Sequence, residues 1–117
     1  IITTPNKHDQ VTSLISHLPI FLASSLIHTA NSENNPMIKN LAHKISSSGF
    51  YDTSRVGGGN PNLGLDLAAY NSENLINAIN IFKTHIEDFE KFIKSQDWES
   101  LYIKLEQSKD IRSNFSN

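Results

Sequence analysis

The chain has no cysteine, and only two of its ten basic residues are arginines. Without cysteine there is no disulfide framework and no thiolate metal site. A net charge of −2 over 117 residues leaves no basic surface for nucleic acid or for an anionic membrane. No apolar run reaches the length needed to span a bilayer, and no signal-peptide pattern opens the chain. These absences predict a soluble, cytoplasmic protein of about one domain.

What the sequence does contain is apolar residues at helical spacing. Thr4 and Pro5 form a typical helix entry, and the pattern that follows predicts a long first helix to about Thr29, kinked at Pro19. The strongest periodicity has alternating steps of four and three and predicts a long, apolar central helix. Its positions are Leu75, Ile79, Phe82, Ile86, Phe89 and Ile93. No segment alternates as a strand does, so the predicted fold is all-α.

Shorter helices complete the prediction. One runs from Met37 to about Ser47 and stops at Gly49, and another begins at Pro61. Asn71 and Ser72 cap the central helix, and Asp97 caps a last helix that frays from about Ser113. This last helix presents an inner face of four apolar residues. They are Trp98, Leu101, Tyr102 and Leu105.

The central segment, residues 49–61, combines four of the five glycines with Asp52 and Arg55. Glycines let a backbone approach a ligand closely, and an arginine offers a planar set of donors to a carboxylate or phosphate. Arg55 is therefore a candidate anion-binding residue. The alternative is an ordinary surface loop in which Arg55 pairs with Asp52.

A second candidate is a polar stripe along the first helix. Counted at about 100° per residue, Asp9, Ser13, Ser16 and Ile20 share one face, and His17 lies about 80° away from Asp9. Such a stripe beside a proline kink is a possible pocket lining, and a solvated outer face is the alternative. No histidine pair has the spacing of a helical metal site, so no metal is predicted.

Several blocks, in the correct order, resemble the prephenate/arogenate dehydrogenase family of tyrosine biosynthesis, specifically its C-terminal helical domain. The blocks are His8-Asp9-Gln10-Val11, Ser16-His17-Leu18-Pro19, Gly49-Phe50-Tyr51-Asp52-Thr53-Ser54-Arg55 with Gly59-Asn60-Pro61, and Asn71-Ser72-Glu73-Asn74-Leu75. The resemblance covers residues 5–113. It implies a helical dimerisation domain of the 6-phosphogluconate-dehydrogenase C-terminal type.

The resemblance also implies an oxidoreductase that decarboxylates its substrate while passing a hydride to NAD or NADP. The catalytic histidine and the dinucleotide fingerprint belong to an N-terminal Rossmann domain in this family, so no catalytic or cofactor-binding residue is expected in this chain. The chain opens on isoleucine, which is typical of a fragment. Residues 1–4 are then the end of an interdomain connection and residues 5–117 the helical domain. A homodimer is expected, and the fragment alone is expected to be inactive.

By motif position, the resemblance assigns Arg55 to a substrate carboxylate, Asp52 to orienting Arg55, and Ser16 and His17 to the pocket lining. Prephenate-using members often carry a histidine at the place of Ile20 and a tryptophan at the place of Gly64. Their absence favours arogenate over prephenate. Two alternatives stay open: a non-catalytic helical interaction module, and the helical domain of another hydroxy-acid dehydrogenase.

Overall fold

The computed structural model describes residues 2–115, and every regular element in that range is helical. The elements in chain order are α1 (Pro5–Thr12), a π-helical turn (Ser13–His17), α2 (Leu18–Ala30), α3 (Pro36–Ile45), α4 (Ser48–Ser54), a 3₁₀ turn (Arg55–Gly58), α5 (Pro61–Tyr70), α6 (Ser72–Lys94) and α7 (Trp98–Arg112). The all-α prediction is confirmed. Ile1, the start of the predicted interdomain connection, and Ser116 and Asn117 lie outside the described residues.

The first helix begins as the sequence predicts, because the Thr4 side chain accepts a hydrogen bond from the Lys7 N–H. Its irregularity comes one turn before Pro19. The Leu18 N–H donates to the Ser13 carbonyl, five residues back, so the turn between α1 and α2 is π-helical. Pro19 follows directly after this turn, as the second residue of α2.

Helices α1 and α2 with the turn between them form one run, Pro5–Ala30, which by length and composition alone could cross a membrane. This corrects the expectation that no segment of the chain is long enough. The core helix of a soluble protein meets the same criterion, and the buried His17 side chain of this run, described below, contacts the Asn71 side chain just before α6.

The central segment is not a loop. Gly49 lies inside α4 and does not stop the preceding helix, which ends at Ile45. Helix α4 leads directly into the 3₁₀ turn that carries Arg55, and among the described residues no glycine has a positive φ. The chain leaves this segment at Asn60, whose side chain accepts from the Asn62 N–H and caps α5.

The described chain divides into two compact units, one up to Ile79 and the other from Asn80 onward. Fully buried apolar side chains are few and belong to the first unit. They are Ala23, Leu75 and Ala78. The central segment and the Asp9–Pro19 stretch both lie in this unit.

In the second unit, a left-handed Gln96 (φ 56°) ends α6, and the Asp97 N–H returns to the Phe92 carbonyl. Asp97 caps α7 as predicted: its carboxylate accepts from the Ser100 hydroxyl and N–H, which holds the pKa of Asp97 below its usual value. The predicted inner face of α7 is wrong for a single chain, since Trp98, Tyr102 and Leu105 are all more than half exposed.

Candidate functional site

Arg55 opens onto a cleft of about 460 Å³ in the first unit, here called the Arg55 cleft. Its lining is contributed by the π-helical turn, the start of α2, the 3₁₀ turn and α5. The residues are Ile15, Ser16, Pro19, Ile20, Arg55, Val56, Gly59 and Leu63. Three of the five residues predicted for the site, Ser16, Ile20 and Arg55, are thus brought together from positions up to 39 apart in the sequence.

A neighbouring cleft of about 220 Å³ shares Ile20, Val56, Gly59 and Leu63 with the first and extends to Gly64 and Leu65. The lining of the pair is mostly apolar. Arg55 is the only charged residue among the lining residues of the two clefts. Such a site favours a ligand with an apolar body and one anionic group.

Arg55 is available to that anion. The alternative from the sequence was a pair with Asp52, but within residues 2–115 no ion pair joins the two side chains. Asp52 lies on α4, is exposed and does not line either cleft. The proposed orienting contact between Asp52 and Arg55 is therefore absent from this structure.

Gly57 explains how Arg55 is held. A Cβ at Gly57 would lie 2.6 Å from the Ala23 carbonyl carbon and 2.9 Å from the Ser24 Cα, and closer still to the Ser24 nitrogen. The 3₁₀ turn therefore packs backbone against backbone on α2. This is a different role for glycine from the predicted approach to a ligand: the close partner at Gly57 is the protein's own helix.

His17 lies elsewhere in the same unit. It is only 6% exposed, and its Nδ1 is 3.3 Å from the Asn71 Nδ2, which also donates to the Asp9 carbonyl at 2.8 Å. The Asn74 side chain donates to the Asn71 Oδ1 at 2.9 Å. We call Asp9, His17, Asn71 and Asn74 the Asn71 network. Asn71 is predicted from the sequence as a helix cap; its side chain instead ties α6 to α1 and to the π-helical turn.

The π-helical turn explains why the Asn71 network and the Arg55 cleft lie on different faces of the first helical run. A turn closed by five-residue hydrogen bonds holds about one more residue than an α-helical turn, which shifts the faces beyond it by about 100°. The His17 ring and the Asp9 carbonyl therefore both face Asn71, while Ser16 and Ile20 line the Arg55 cleft. The prediction that Asp9, Ser13, Ser16 and Ile20 share one polar face is therefore wrong, because it assumes one uninterrupted α-helix.

Metal ligands do not gather in the part of the chain that the structure describes: no group of three or more histidine or acidic side chains is placed to hold an ion. The described residues also form no strand, so they do not supply the strand, glycine-rich turn and helix that bind a dinucleotide. What the geometry defines is a helical domain with a cleft for an apolar anion.

Sequence comparison identifies which helical domain this is. The family described as "Prephenate dehydrogenase, dimerization domain" matches residues 4–107, and the chain belongs to that family. The chain is 32% identical over 111 residues to a prephenate dehydrogenase of Bacillus subtilis, and 29% identical over 114 residues to one of Lactococcus lactis. These matches cover 93% and 96% of the chain but 29% and 31% of the two relatives. The chain thus spans about a third of their length.

Solved structures agree. The chain is similar to the Synechocystis arogenate dehydrogenase with a TM-score of 0.97 and 38% identity, covering 99% of this chain and 42% of that one. It is also similar to the prephenate dehydrogenase of A. aeolicus in complex with hydroxyphenyl propionate and NAD+, with a TM-score of 0.86, 27% identity, and coverage of 97% and 39%. The family membership inferred from the sequence motifs is confirmed.

Proposed function

We propose that the chain is the substrate-binding and dimerisation part of an arogenate or prephenate dehydrogenase, with arogenate the favoured substrate. In this proposal residues 5–117 are the helical domain of a longer cytoplasmic enzyme and residues 1–4 end the connection to its dinucleotide-binding domain. NAD or NADP is held by that other domain, which also supplies the catalytic histidine. The chain alone is then inactive.

The Arg55 cleft is the observation that carries this proposal. Prephenate and arogenate both have an apolar ring and carboxylate groups, which match a mostly apolar cleft with one arginine in its lining. The guanidinium can bind a carboxylate through two parallel hydrogen bonds. The exposed Ser16 hydroxyl lies on the same lining and can add a further hydrogen bond. Asp52 keeps at most an indirect role in this scheme.

The preference for arogenate rests on Ile20 and Gly64, which are neighbours in the structure. A Cβ at Gly64 would lie 3.7 Å from the Ile20 Cγ2, in ordinary van der Waals contact. The two places where this chain departs from prephenate-using members therefore form one patch of the neighbouring cleft. Ile20 cannot donate a hydrogen bond to the keto-acid side chain of prephenate, so this patch gives prephenate no advantage over arogenate.

The test of this proposal is steady-state kinetics of the intact enzyme on both substrates. We expect a higher kcat/KM for arogenate than for prephenate. Ile20→His should shift the ratio of the two kcat/KM values toward prephenate by about 1–3 kcal/mol, the size of one hydrogen bond to a charged group. A native preference for prephenate would refute the assignment of arogenate.

Ile15→His is the matched control, because Ile15 lines the Arg55 cleft but does not lie beside Gly64. It introduces the same imidazole on the same helical run. We expect the substrate ratio to stay within about twofold of the native value, since an imidazole at this place is not beside Gly64 and gains no such hydrogen bond. An equal shift in both variants would mean that any added imidazole changes the ratio.

Homodimer formation is proposed from the family's dimerization domain and from exposed apolar surface in the second unit. No described residue from Asn80 onward is fully buried, although α6 and α7 are rich in apolar side chains there. Those at least 48% exposed are Ile81, Ile86, Ile93, Trp98, Tyr102, Ile103, Leu105, Ile111 and Phe115. A surface of this kind is expected to be covered in a stable protein.

Sedimentation equilibrium of the chain at micromolar concentration should therefore give twice the monomer mass. Replacing Trp98 and Tyr102 together by glutamate should shift the equilibrium to monomer, because two charges would have to be buried in an apolar interface. Replacing Gln107 and Ser108, two exposed neutral residues of α7, by glutamate makes the same change of charge and controls for the added acid. A native chain that stays monomeric would exclude this mode of assembly.

A further inference from the structure

The neighbouring cleft has two polar side chains, Ser24 and Asn60, in its otherwise apolar lining. Ser24 lies on α2 four residues after Ile20, so the two residues are neighbours on one face of the helix. The neighbouring cleft and the Arg55 cleft share part of their lining, Ile20 included. A ligand whose carboxylate is bound at Arg55 can therefore extend along Ile20, and its other polar end then lies beside Ser24 and Asn60.

The Ser24 hydroxyl is available to a ligand. A hydroxyl inside a helix can donate to the carbonyl four residues back, as Thr29 of α2 does to Ser25 at 2.7 Å. The Ser24 hydroxyl has no such partner among the described residues. Ser24 is half-buried, and no buried side-chain oxygen in that part of the chain lacks a partner. The Ser24 oxygen therefore stays accessible, on a residue that lines the cleft.

Asn60 offers a different group to the same cleft. Its side-chain oxygen accepts from the Asn62 N–H at 3.0 Å, which engages the oxygen and leaves the amide nitrogen to a ligand. An amide nitrogen donates and does not accept, so Asn60 suits a carboxylate. A hydroxyl can accept as well as donate. Of the two side chains, Ser24 is therefore the one that suits an ammonium group.

We infer that Ser24 is a specificity-determining residue, whose hydroxyl oxygen accepts a hydrogen bond from the ammonium group of an amino-acid side chain on the substrate. The described residues that line the two clefts include no acid, so an uncharged acceptor must hold this ammonium. A keto-acid side chain has no ammonium, and the same hydroxyl can only donate to its neutral oxygen. The choice between these two side chains rests on the proposed function, in which arogenate and prephenate are the substrates.

The test is Ser24→Ala in the intact enzyme, with steady-state kinetics on both substrates. A hydrogen bond to a charged group is worth more than one between neutral groups. Losing the hydroxyl should therefore lower kcat/KM about 10- to 100-fold for arogenate but only about 2- to 10-fold for prephenate. The ratio of the two values moves toward prephenate. Equal losses for both substrates, or no loss for either, would overturn the inference.

Ser25→Ala is the matched control, because Ser25 is the next residue of α2, is exposed and lines neither cleft. Both kcat/KM values should stay within about twofold of the native ones, as expected for a surface substitution. A shift of the substrate ratio equal to that of Ser24→Ala would assign the effect to the helix and overturn the role of the Ser24 hydroxyl.

Chemical denaturation of Ser24→Ala separates substrate binding from a structural role. The variant should be as stable as the native protein or slightly more stable, because the hydroxyl has no partner in the described chain and alanine has the higher helix propensity. A marked loss of stability, or a variant that does not fold, would show that the hydroxyl has an internal partner and would also overturn the inference.

The role of Ser24 and the proposed function fail in distinguishable ways. An active enzyme with an unchanged substrate ratio in Ser24→Ala loses the role of Ser24 and keeps the proposed function. A native protein that turns over neither substrate refutes the proposed function, and binding measured by calorimetry then decides the role of Ser24. The probes are L-tyrosine and hydroxyphenyl propionate, which share a ring and a carboxylate and differ in the ammonium.

Ser24→Ala should weaken the binding of L-tyrosine about 10- to 100-fold and leave that of hydroxyphenyl propionate within about twofold, since only the first ligand has a charged donor for the hydroxyl. Equal weakening of both ligands, or no binding of either by the native protein, would overturn the role of Ser24 in that case.

Discussion

Replacing Arg55 by alanine in the intact enzyme should lower kcat/KM for the substrate. The loss of transition-state binding free energy should be about 2–5 kcal/mol, the usual loss when one partner of a desolvated charge pair is removed. The effect is large because Arg55 is the only charged residue lining the two clefts. Affinity for the dinucleotide should change little, since the described helices do not form its binding motif. Kinetics with each substrate varied in turn separates the two effects.

The other arginine provides the control. Arg112 lies in the last turn of α7, in the second unit, and Arg112→Ala removes the same charge without touching either cleft. It should leave kcat/KM within about twofold of the native value, as expected for a surface substitution. Arg55→Lys should recover only part of the loss, because an ammonium cannot make two parallel bonds to a carboxylate. A native kcat/KM in Arg55→Ala would make Arg55 a structural residue.

Gly57→Ala should destabilise the fold by about 1–3 kcal/mol or more, the cost of forcing extra atoms into a packed interior. The added Cβ would meet backbone atoms of Ala23 and Ser24, which cannot rotate away as a side chain can. The 3₁₀ turn must therefore move off α2, and Arg55 moves with it. Chemical denaturation measures the first effect, and the KM for the substrate measures the second.

Gly58 is the natural comparison, because it is the next residue of the same turn and a Cβ there has no heavy atom within 4 Å. Gly58→Ala should be close to neutral in both measurements. Neither glycine has a positive φ, so backbone strain does not distinguish them. Equal stability of the two variants would contradict the close packing of Gly57 on α2.

Much of this fold follows from the sequence, because helix signals act over a few residues. Thr4 and Asp97 each cap a helix in the structure through the hydrogen bond that their residue types predict. The heptad pattern likewise corresponds to the 23-residue α6. This row of apolar residues predicts that α6 packs against a partner surface, but it does not predict which surface. In a single chain Ile86 and Ile93 remain exposed.

The central segment was harder to predict, because glycine is compatible with several conformations. Four glycines indicate a loop by composition, yet α4 and the 3₁₀ turn continue through Gly49, Gly57 and Gly58. The reason for Gly57 lies in α2, more than 30 residues earlier in the chain. A constraint between distant parts of the backbone leaves no local pattern in the sequence. The sequence therefore indicates Arg55 as a candidate but does not predict that the turn carrying it packs on α2.

The bonding of the Asn71 side chain was not predicted, for a related reason. Its place before α6 predicts a cap, and its carbonyl does accept from the Leu75 N–H at 2.9 Å. Its side chain is drawn away by Asp9 and His17, whose shared face depends on the π-helical turn. The hydrophobic pattern does not reveal such a turn, because the residues on both sides of it keep ordinary helical spacing.

The π-helical turn at Ser13–His17 acts as a phase shift between two halves of one rod. A helical wheel for this chain needs two origins, one before Ser13 and one after His17. The shift also lets the two halves meet different partners: α1 faces Asn71, and α2 faces the 3₁₀ turn that carries Arg55. Losing one residue from the turn would bring both halves into a single α-helical phase, and no rotation of the straightened rod could then satisfy both partners.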